Sequence, residues 1–138
     1  MFSKNRWTIP KRIWRNKRVL ITGNTGFKGS WLSLWLEHLG AKVYGCALKP
    51  NTNPNLFEVA RVEEGSEVYF CDIRDYSKLN LFLRELEPEI IFHLAAQPLV
   101  SNSYLNPLET YSTNVMGLVN LFDISRNLLK LKVIVNIT

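Results

Sequence analysis

The sequence predicts an α/β fold, a doubly wound parallel sheet that is truncated after its fifth strand. Three observations carry this. Five short segments, RVLIT, KVYGCAL, EVYF, EIIFHLA and KVIVNIT, are nearly continuous in apolar residues rather than alternating, as expected of strands buried on both faces. The stretches between them carry helical periodicity, and strands alternating with amphipathic helices imply parallel pairing through right-handed crossovers. Glycines recur at 23, 26 and 29, directly between the first strand and the first of these helices.

Taken in order, RVLIT (18–22) is the first strand. A helix follows from Gly26 to Leu39, with Trp31, Leu32, Trp35, Leu36 and Leu39 on one face, so that both tryptophans are expected in the core. KVYGCAL (42–48) is the second strand, and KPNTNPN is a loop on the strength of its Pro and Asn content. A short helix near Leu56 to Arg61, the strand EVYF, a helix from Tyr76 to Leu86 and the strand EIIFHLA come next. A loop holding Pro98 and Pro107 leads to one long helix, about Leu108 to Leu129, and KVIVNIT is the fifth strand. His93, inside an apolar strand, reads as a hydrogen-bonded core histidine.

Composition limits what else the chain can be. At 138 residues and 46% hydrophobic content it is one domain with material for a core. The longest apolar run, around IIFHLAA, is far short of the ~20 residues that span a bilayer. No apolar segment near Met1 suggests a signal peptide, so the expected compartment is the cytoplasm, with no membrane partner. Cys46 and Cys71 lack metal-ligand spacing and read as buried, reduced thiols, with no metal site expected. The net charge of +5 is misleading as a nucleic-acid signal. Seven of the 17 basic residues fall within the first 18 positions, and the rest of the chain carries ten basic against twelve acidic residues. The basic character belongs to an N-terminal extension, residues 1–12, and no nucleic-acid partner is expected.

The glycines have a chemical reading. A phosphate can sit on a helix N-terminus only where free N–H groups point outward and no Cβ blocks its approach. Gly23 then allows the tight turn, Gly26 the approach of a pyrophosphate, and Gly29 close packing of helix on strand. A glycine repeat alone fits any tight turn; the strand before it and the helix after it select a dinucleotide cradle.

TGNTGFKG resembles the TGxxGxxG fingerprint of the extended short-chain dehydrogenase/reductases, the family of NAD-dependent nucleotide-sugar epimerases and dehydratases. CDIRD (71–75), FHLAAQ (92–97) and TYSTNVMG (110–117) follow in that family's order and spacing, and GFKGSWLSLWL, NPNLFE and HLAAQPLV look like its 4,6-dehydratases. The resemblance implies a Rossmann-like domain over residues 13–138, NAD as cofactor, CDP-glucose as the sugar nucleotide dehydrated, and a homo-oligomer at full length. It implies that Gly23, Asn24, Thr25, Gly26, Phe27, Lys28 and Gly29 cradle the pyrophosphate, and that Asp72 and Ile73 lie along the adenine. Leu94, Ala95, Ala96 and Gln97 would let ribose and phosphate pass, with Asn114 near the active site and Thr138 at the end of the cofactor strand. In the family the strand VIVNIT runs on to a catalytic Ser or Thr, later a Tyr-x-x-x-Lys pair, and a sugar-binding C-terminal domain. No catalytic residue is therefore expected up to Thr138, and that domain is expected to be absent. The sequence departs from the family pattern at Asn24, usually His, at Cys71, usually Gly, at Ser101, commonly Arg, and at Lys49, near which an acid is usual. Another nucleotide-sugar epimerase or reductase, or a non-catalytic dinucleotide-binding module, remain alternatives.

Overall fold

The computed structural model describes residues 10–137. Lys4 and Arg6 of the basic extension, and Thr138, lie outside the described residues. The elements are α1 (Lys11–Trp14), β1 (Arg18–Thr22), α2 (Phe27–His38), β2 (Lys42–Ala47), α3 (Leu56–Val59), a 3-10 turn (Val62–Glu64), β3 (Ser66–Phe70) and α4 (Tyr76–Leu86). They continue with β4 (Ile90–His93), α5 (Val100–Leu105), α6 (Pro107–Tyr111), a π-helical turn (Ser112–Met116), α7 (Gly117–Ser125) and β5 (Val133–Asn136).

All five expected strands form, and they make one parallel sheet in the order β3-β2-β1-β4-β5. The chain winds outward from β1 to β3 and then crosses back over β1 to place β4 on its other side. The winding therefore reverses between β1 and β4, and the crevice at the carboxyl ends of those two strands is the topological switch point of the sheet.

β1 is the centre of the core. Val19, Leu20, Ile21 and Thr22 are fully buried, and because successive side chains point to opposite faces they anchor two separate layers. Val19 and Ile21 pack with Leu36, Ala41 and Val43 on the α2 side. Leu20 packs with Ile91, Leu79, Leu83, Leu121 and Ile124 beneath α4 and α7. α4 spans the residues expected of it because its start is strongly marked: the Asp75 carboxylate accepts the amide of Lys78 at 3.1 Å as an N-cap.

α2 forms where expected, with Leu36 and Leu39 buried and Leu32 packed beside them, but the two tryptophans expected on the same face are not in the core. Trp31 and Trp35 are 56% and 50% exposed, and the buried face is Gly29, Ser30, Ser33 and Leu36. The reason is distance. The start of α2 lies so close to the end of β1 that a Cβ on Gly29 would overlap the Gly23 carbonyl oxygen and the Asn24 Cα. Only small side chains fit that seam, and their polar atoms are satisfied locally: Ser30 Oγ donates to Asn24 O at 2.9 Å and Ser33 Oγ to Gly29 O at 2.8 Å. The tryptophans are displaced to the outer surface.

The long C-terminal helix is not one helix. Pro107 starts α6 afresh after Asn106, as Pro does at a first helical position, and the π turn separates α6 from α7. α7 ends at Ser125, four residues before the expected limit, because the chain must turn there to bury Leu128 (7% exposed) in the core. The expected loop after Pro98 contains the helix α5, none of whose residues is buried.

At the lower edge of the sheet Glu89 ties three strands. Its carboxylate accepts from Lys17 Nζ (2.9 Å), the Arg18 amide (3.2 Å) and Lys132 Nζ (3.4 Å), just before β1, β4 and β5 begin. The Lys17 ammonium, with the Arg18 amide, pulls the carboxyl down from 4.5 to about 2.

Two outcomes follow from this packing. Leu36→Ala costs about 2–5 kcal/mol in urea unfolding, as a fully buried leucine does, whereas Trp35→Ala costs less than about 1 kcal/mol; equal costs would contradict the assigned face. The Glu89 contribution is fully present above pH 4.5 and is lost as pH falls toward 2. Glu89→Gln therefore flattens the stability profile over that window, and an unchanged acid limb would refute the tie.

Candidate functional site

β1 delivers the chain to the switch point at Thr22, and the next residue turns sharply. Gly23 has φ +75°, a left-handed conformation, and a Cβ there would lie 2.8 Å from the Ala95 amide nitrogen. Its own amide donates to Cys46 O at 2.9 Å, which fastens the turn to the end of β2. Gly26 is the N-cap of α2, exposed, with no side-chain cap. A Cβ at Gly26 would approach only the Gly23 oxygen, at 3.4 Å, so the space beside it is open.

Beyond Gly26 the amides of Phe27, Lys28 and Gly29 make no hydrogen bond among the described residues, as the first amides of an uncapped helix do not. The Phe27 side chain is 70% exposed and Lys28 is exposed, so neither covers these amides with a buried partner. The result is a shelf of outward N–H groups at the positive end of a twelve-residue helix, bordered by a glycine on each side. It is an open shelf. Two hollows lie elsewhere, one of about 600 Å³ at the lower edge of the sheet near Arg18, Lys42 and Lys132 and one of about 500 Å³ near Tyr69 and Phe82.

The remaining residues of the glycine turn are spoken for. Thr25 Oγ1 donates to Leu48 O at 2.9 Å. Asn24 is fully buried, its amide lies over Gly45 of β2 where a Cβ would overlap it, and neither of its polar side-chain atoms has a hydrogen-bond partner among the described residues.

The opposite wall of the crevice follows β4. His93 is 4% exposed, and its Nδ1 lies 2.7 Å from Thr22 Oγ1. The same hydroxyl oxygen accepts from the amides of Leu94 and Ala95, both at 3.2 Å. With its lone pairs taken, the hydroxyl gives its proton to Nδ1, which puts the imidazole proton on Nε2. Burial lowers the His93 pKa, which keeps the ring neutral. Thr22 is thus the node that holds Leu94 and Ala95 under Gly23. Its hydroxyl, immediately before the glycine turn, is the only sequence signal of that role.

Gln97 and Asn114 form a clamp farther out. Asn114 Oδ1 accepts the Gln97 amide at 2.7 Å and its Nδ2 donates to Gln97 O at 3.1 Å. Asn114 lies in the π turn, so the extra residue in that turn sits where the helix meets the crevice. Gln97 in turn donates through Nε2 to Leu99 O and Thr110 Oγ1.

On the β3 side, Asp72 is gripped by Arg74, with Nε at 3.0 Å from both carboxylate oxygens. The guanidinium holds the Asp72 carboxyl below its ordinary range. Ile73 is buried, its side chain filling the space left by Gly117 on α7, so only its backbone is available outside. Cys46 and Cys71 are free, buried and adjacent. Their mutual hydrogen bond pushes the Cys46 thiol up, with burial adding to it, and pulls Cys71 down. The structure thus places residues 23–29, 72–73 and 94–97 beyond the carboxyl ends of β1, β3 and β4, with 114 clamped to 97; Thr138 lies outside the described residues.

Residues 20–137 match the family model described as GDP-mannose 4,6 dehydratase. Among curated relatives, the chain is 54% identical over 130 residues to the CDP-glucose 4,6-dehydratase of Salmonella typhimurium, covering 94% of this chain and 36% of that protein. It is 33% identical over 113 residues to the UDP-glucose 4-epimerase of Mycoplasma genitalium, covering 82% and 33%. The solved UDP-glucose 4-epimerase of Thermotoga maritima superposes with a TM-score of 0.74 at 27% identity, over 86% of this chain and 36% of that one. The epimerase Mth375 of Methanothermobacter thermautotrophicus gives 0.75 at 25% identity, over 92% and 36%. The chain spans about a third of the length of these relatives. A match from the middle of β1 through the end of β5, on a sheet wound as theirs is, means that the chain belongs to the GDP-mannose 4,6-dehydratase family.

Proposed function

We propose that the chain is the cofactor-binding part of a sugar-nucleotide 4,6-dehydratase that acts on CDP-glucose, with NAD the dinucleotide that the family resemblance implies. The observation that carries this reading is the shelf at the switch point, three unpaired amides beside an unobstructed Gly26, in a chain 54% identical to a CDP-glucose 4,6-dehydratase. The residues present fit a dinucleotide because the place a Cβ would fill at Gly26 is open, with only the Gly23 oxygen near it at 3.4 Å, while Gly23 lets the turn close against the Ala95 backbone.

In this reading the amides of Phe27, Lys28 and Gly29 donate to the pyrophosphate, and the Lys28 ammonium adds positive charge beside them. Asp72 and the Ile73 backbone border the adenine, with Arg74 fixing the carboxylate so that one edge of it faces outward. Leu94 to Gln97 pass beneath the riboses, where Ala95 and Ala96 leave room, and Asn114 positions that segment through Gln97. When bound, the nicotinamide takes a hydride from the sugar and later returns it. The chain's own work is to bind, orient and exclude; none of its five tyrosines has a lysine four residues on, so these 138 residues carry no such proton-transfer pair. A homo-oligomer is part of the same proposal for the full-length enzyme.

Gly26→Ala tests the shelf directly. The variant melts within a few degrees of the parent, because its methyl meets only one atom at 3.4 Å, but loses NAD and ADP-ribose binding in calorimetry. Undiminished binding by Gly26→Ala would rule out the shelf as the phosphate site. Gly29→Ala behaves oppositely and lowers stability first, since its methyl falls on the Gly23 carbonyl. The 138-residue chain gives no 4-keto-6-deoxy product from CDP-glucose; product above the no-enzyme control would show that proton-transfer groups have been overlooked.

A further inference from the structure

The end of β2 carries information about the cofactor that the shelf does not. In a sheet wound this way the adenosine ribose lies at the carboxyl end of the second strand, where a carboxylate accepts from its hydroxyls or a basic residue accommodates a 2′-phosphate. β2 ends at Ala47, and from residue 38 to 57 the chain has no carboxylate at all. The charged group that stands there is Lys49.

Lys49 is held close to the shelf. Gly23 N donates to Cys46 O and Thr25 Oγ1 to Leu48 O, both at 2.9 Å, so the residue next to Lys49 is fastened to the glycine turn. The Lys49 ammonium lies 5.9 Å from the centroid of the Phe70 ring at the end of β3, and it enters no ion pair among the described residues. The two carboxylates just beyond the end of β3 are already matched, Asp72 by Arg74 and Asp75 by Lys78. A lysine offers three donors and no acceptor, so it leaves ribose hydroxyls without a carboxylate to donate to, whereas a phosphate offers it three acceptor oxygens.

We propose that this site takes the 2′-phosphorylated dinucleotide, NADP, in preference to NAD, and that Lys49 is the residue that decides. The inference rests on the dinucleotide reading of the shelf and departs from the NAD that the family resemblance implies in one respect, the ribose substituent.

Calorimetric titration of the 138-residue chain with NADP, NAD, 2′,5′-ADP and 5′-AMP tests it. NADP binds about tenfold tighter than NAD, and 2′,5′-ADP tighter than 5′-AMP by a similar factor, both preferences shrinking as salt is raised. Lys49→Ala abolishes the preference and leaves NAD affinity unchanged, and Lys49→Asp reverses it. Lys49 is exposed, so both variants retain the parent's melt, and the parent's own NADP to NAD ratio needs no variant. NAD binding as tightly as NADP, or a preference that survives Lys49→Ala, overturns the assignment and leaves the shelf intact. Binding of neither dinucleotide by the folded chain overturns both readings.

Discussion

The contact on which the rest of the structure depends is the near-touching of α2 and the end of β1 at Gly29 and Gly23. No side chain fits between them, since a methyl on Gly29 would overlap the Gly23 carbonyl. That closeness selects Ser30 and Ser33 for the next positions along the seam, and it turns Trp31 and Trp35 outward. It also brings the uncapped helix start directly over the switch point, so its free amides face the crevice rather than the core. Packing and chemistry are here one constraint: the small residues that let the helix approach are the residues that leave its first turn open.

The crevice has a soft side and a hard side. The hard side is built from hydrogen bonds of buried or half-buried side chains: the Thr22 hydroxyl to the His93 ring and to the Leu94 and Ala95 amides, and the Asn114 amide to the Gln97 backbone. Each fixes a segment rather than a tip, which suits a surface that a ligand must slide along. The soft side is the loop after β2, where Lys49 stands exposed beside Phe70 of β3 and a single hydroxyl, that of Thr25, makes the connection to the glycine turn. Asn24 lies between the two with its amide buried and unpaired over Gly45, a costly arrangement for a polar group and one that makes glycine obligatory at 45.

The strands were legible as short, nearly continuous apolar runs, and α4 because Asp75 marks its start; burial on both faces accounts for such a run in the central β1, while the edge strands β3 and β5 keep the apolar pattern though they are largely half-buried or exposed. The glycine turn was legible because strand, glycines and helix occur in one uninterrupted order. What the sequence hid has a physical cause in each case. The facing of α2 was misread because hydrophobic periodicity weighs tryptophans heavily and gives glycine and serine no weight, whereas the seam responds only to size. α5 was invisible because none of its residues is buried, so no apolar stripe marks it. The break in the long helix left a trace in Pro107, but the π turn that carries Asn114 left none. The pairing of Thr22 with His93 spans 71 residues, and nothing local announces it.

The outward turn of Trp31 and Trp35 also determines what light reports about this chain. Of the three tryptophans in the described residues, these two are half in water already, while Trp14 sits 6.3 Å from the Phe92 ring against the sheet. Indoles on the surface of the folded chain emit much as they do in the unfolded one and are open to collisional quenchers in both. Most of the native-state fluorescence of the described tryptophans is therefore blind to loss of the core, and among them the spectral change that does accompany unfolding is the signal of one indole, on the short helix that precedes β1.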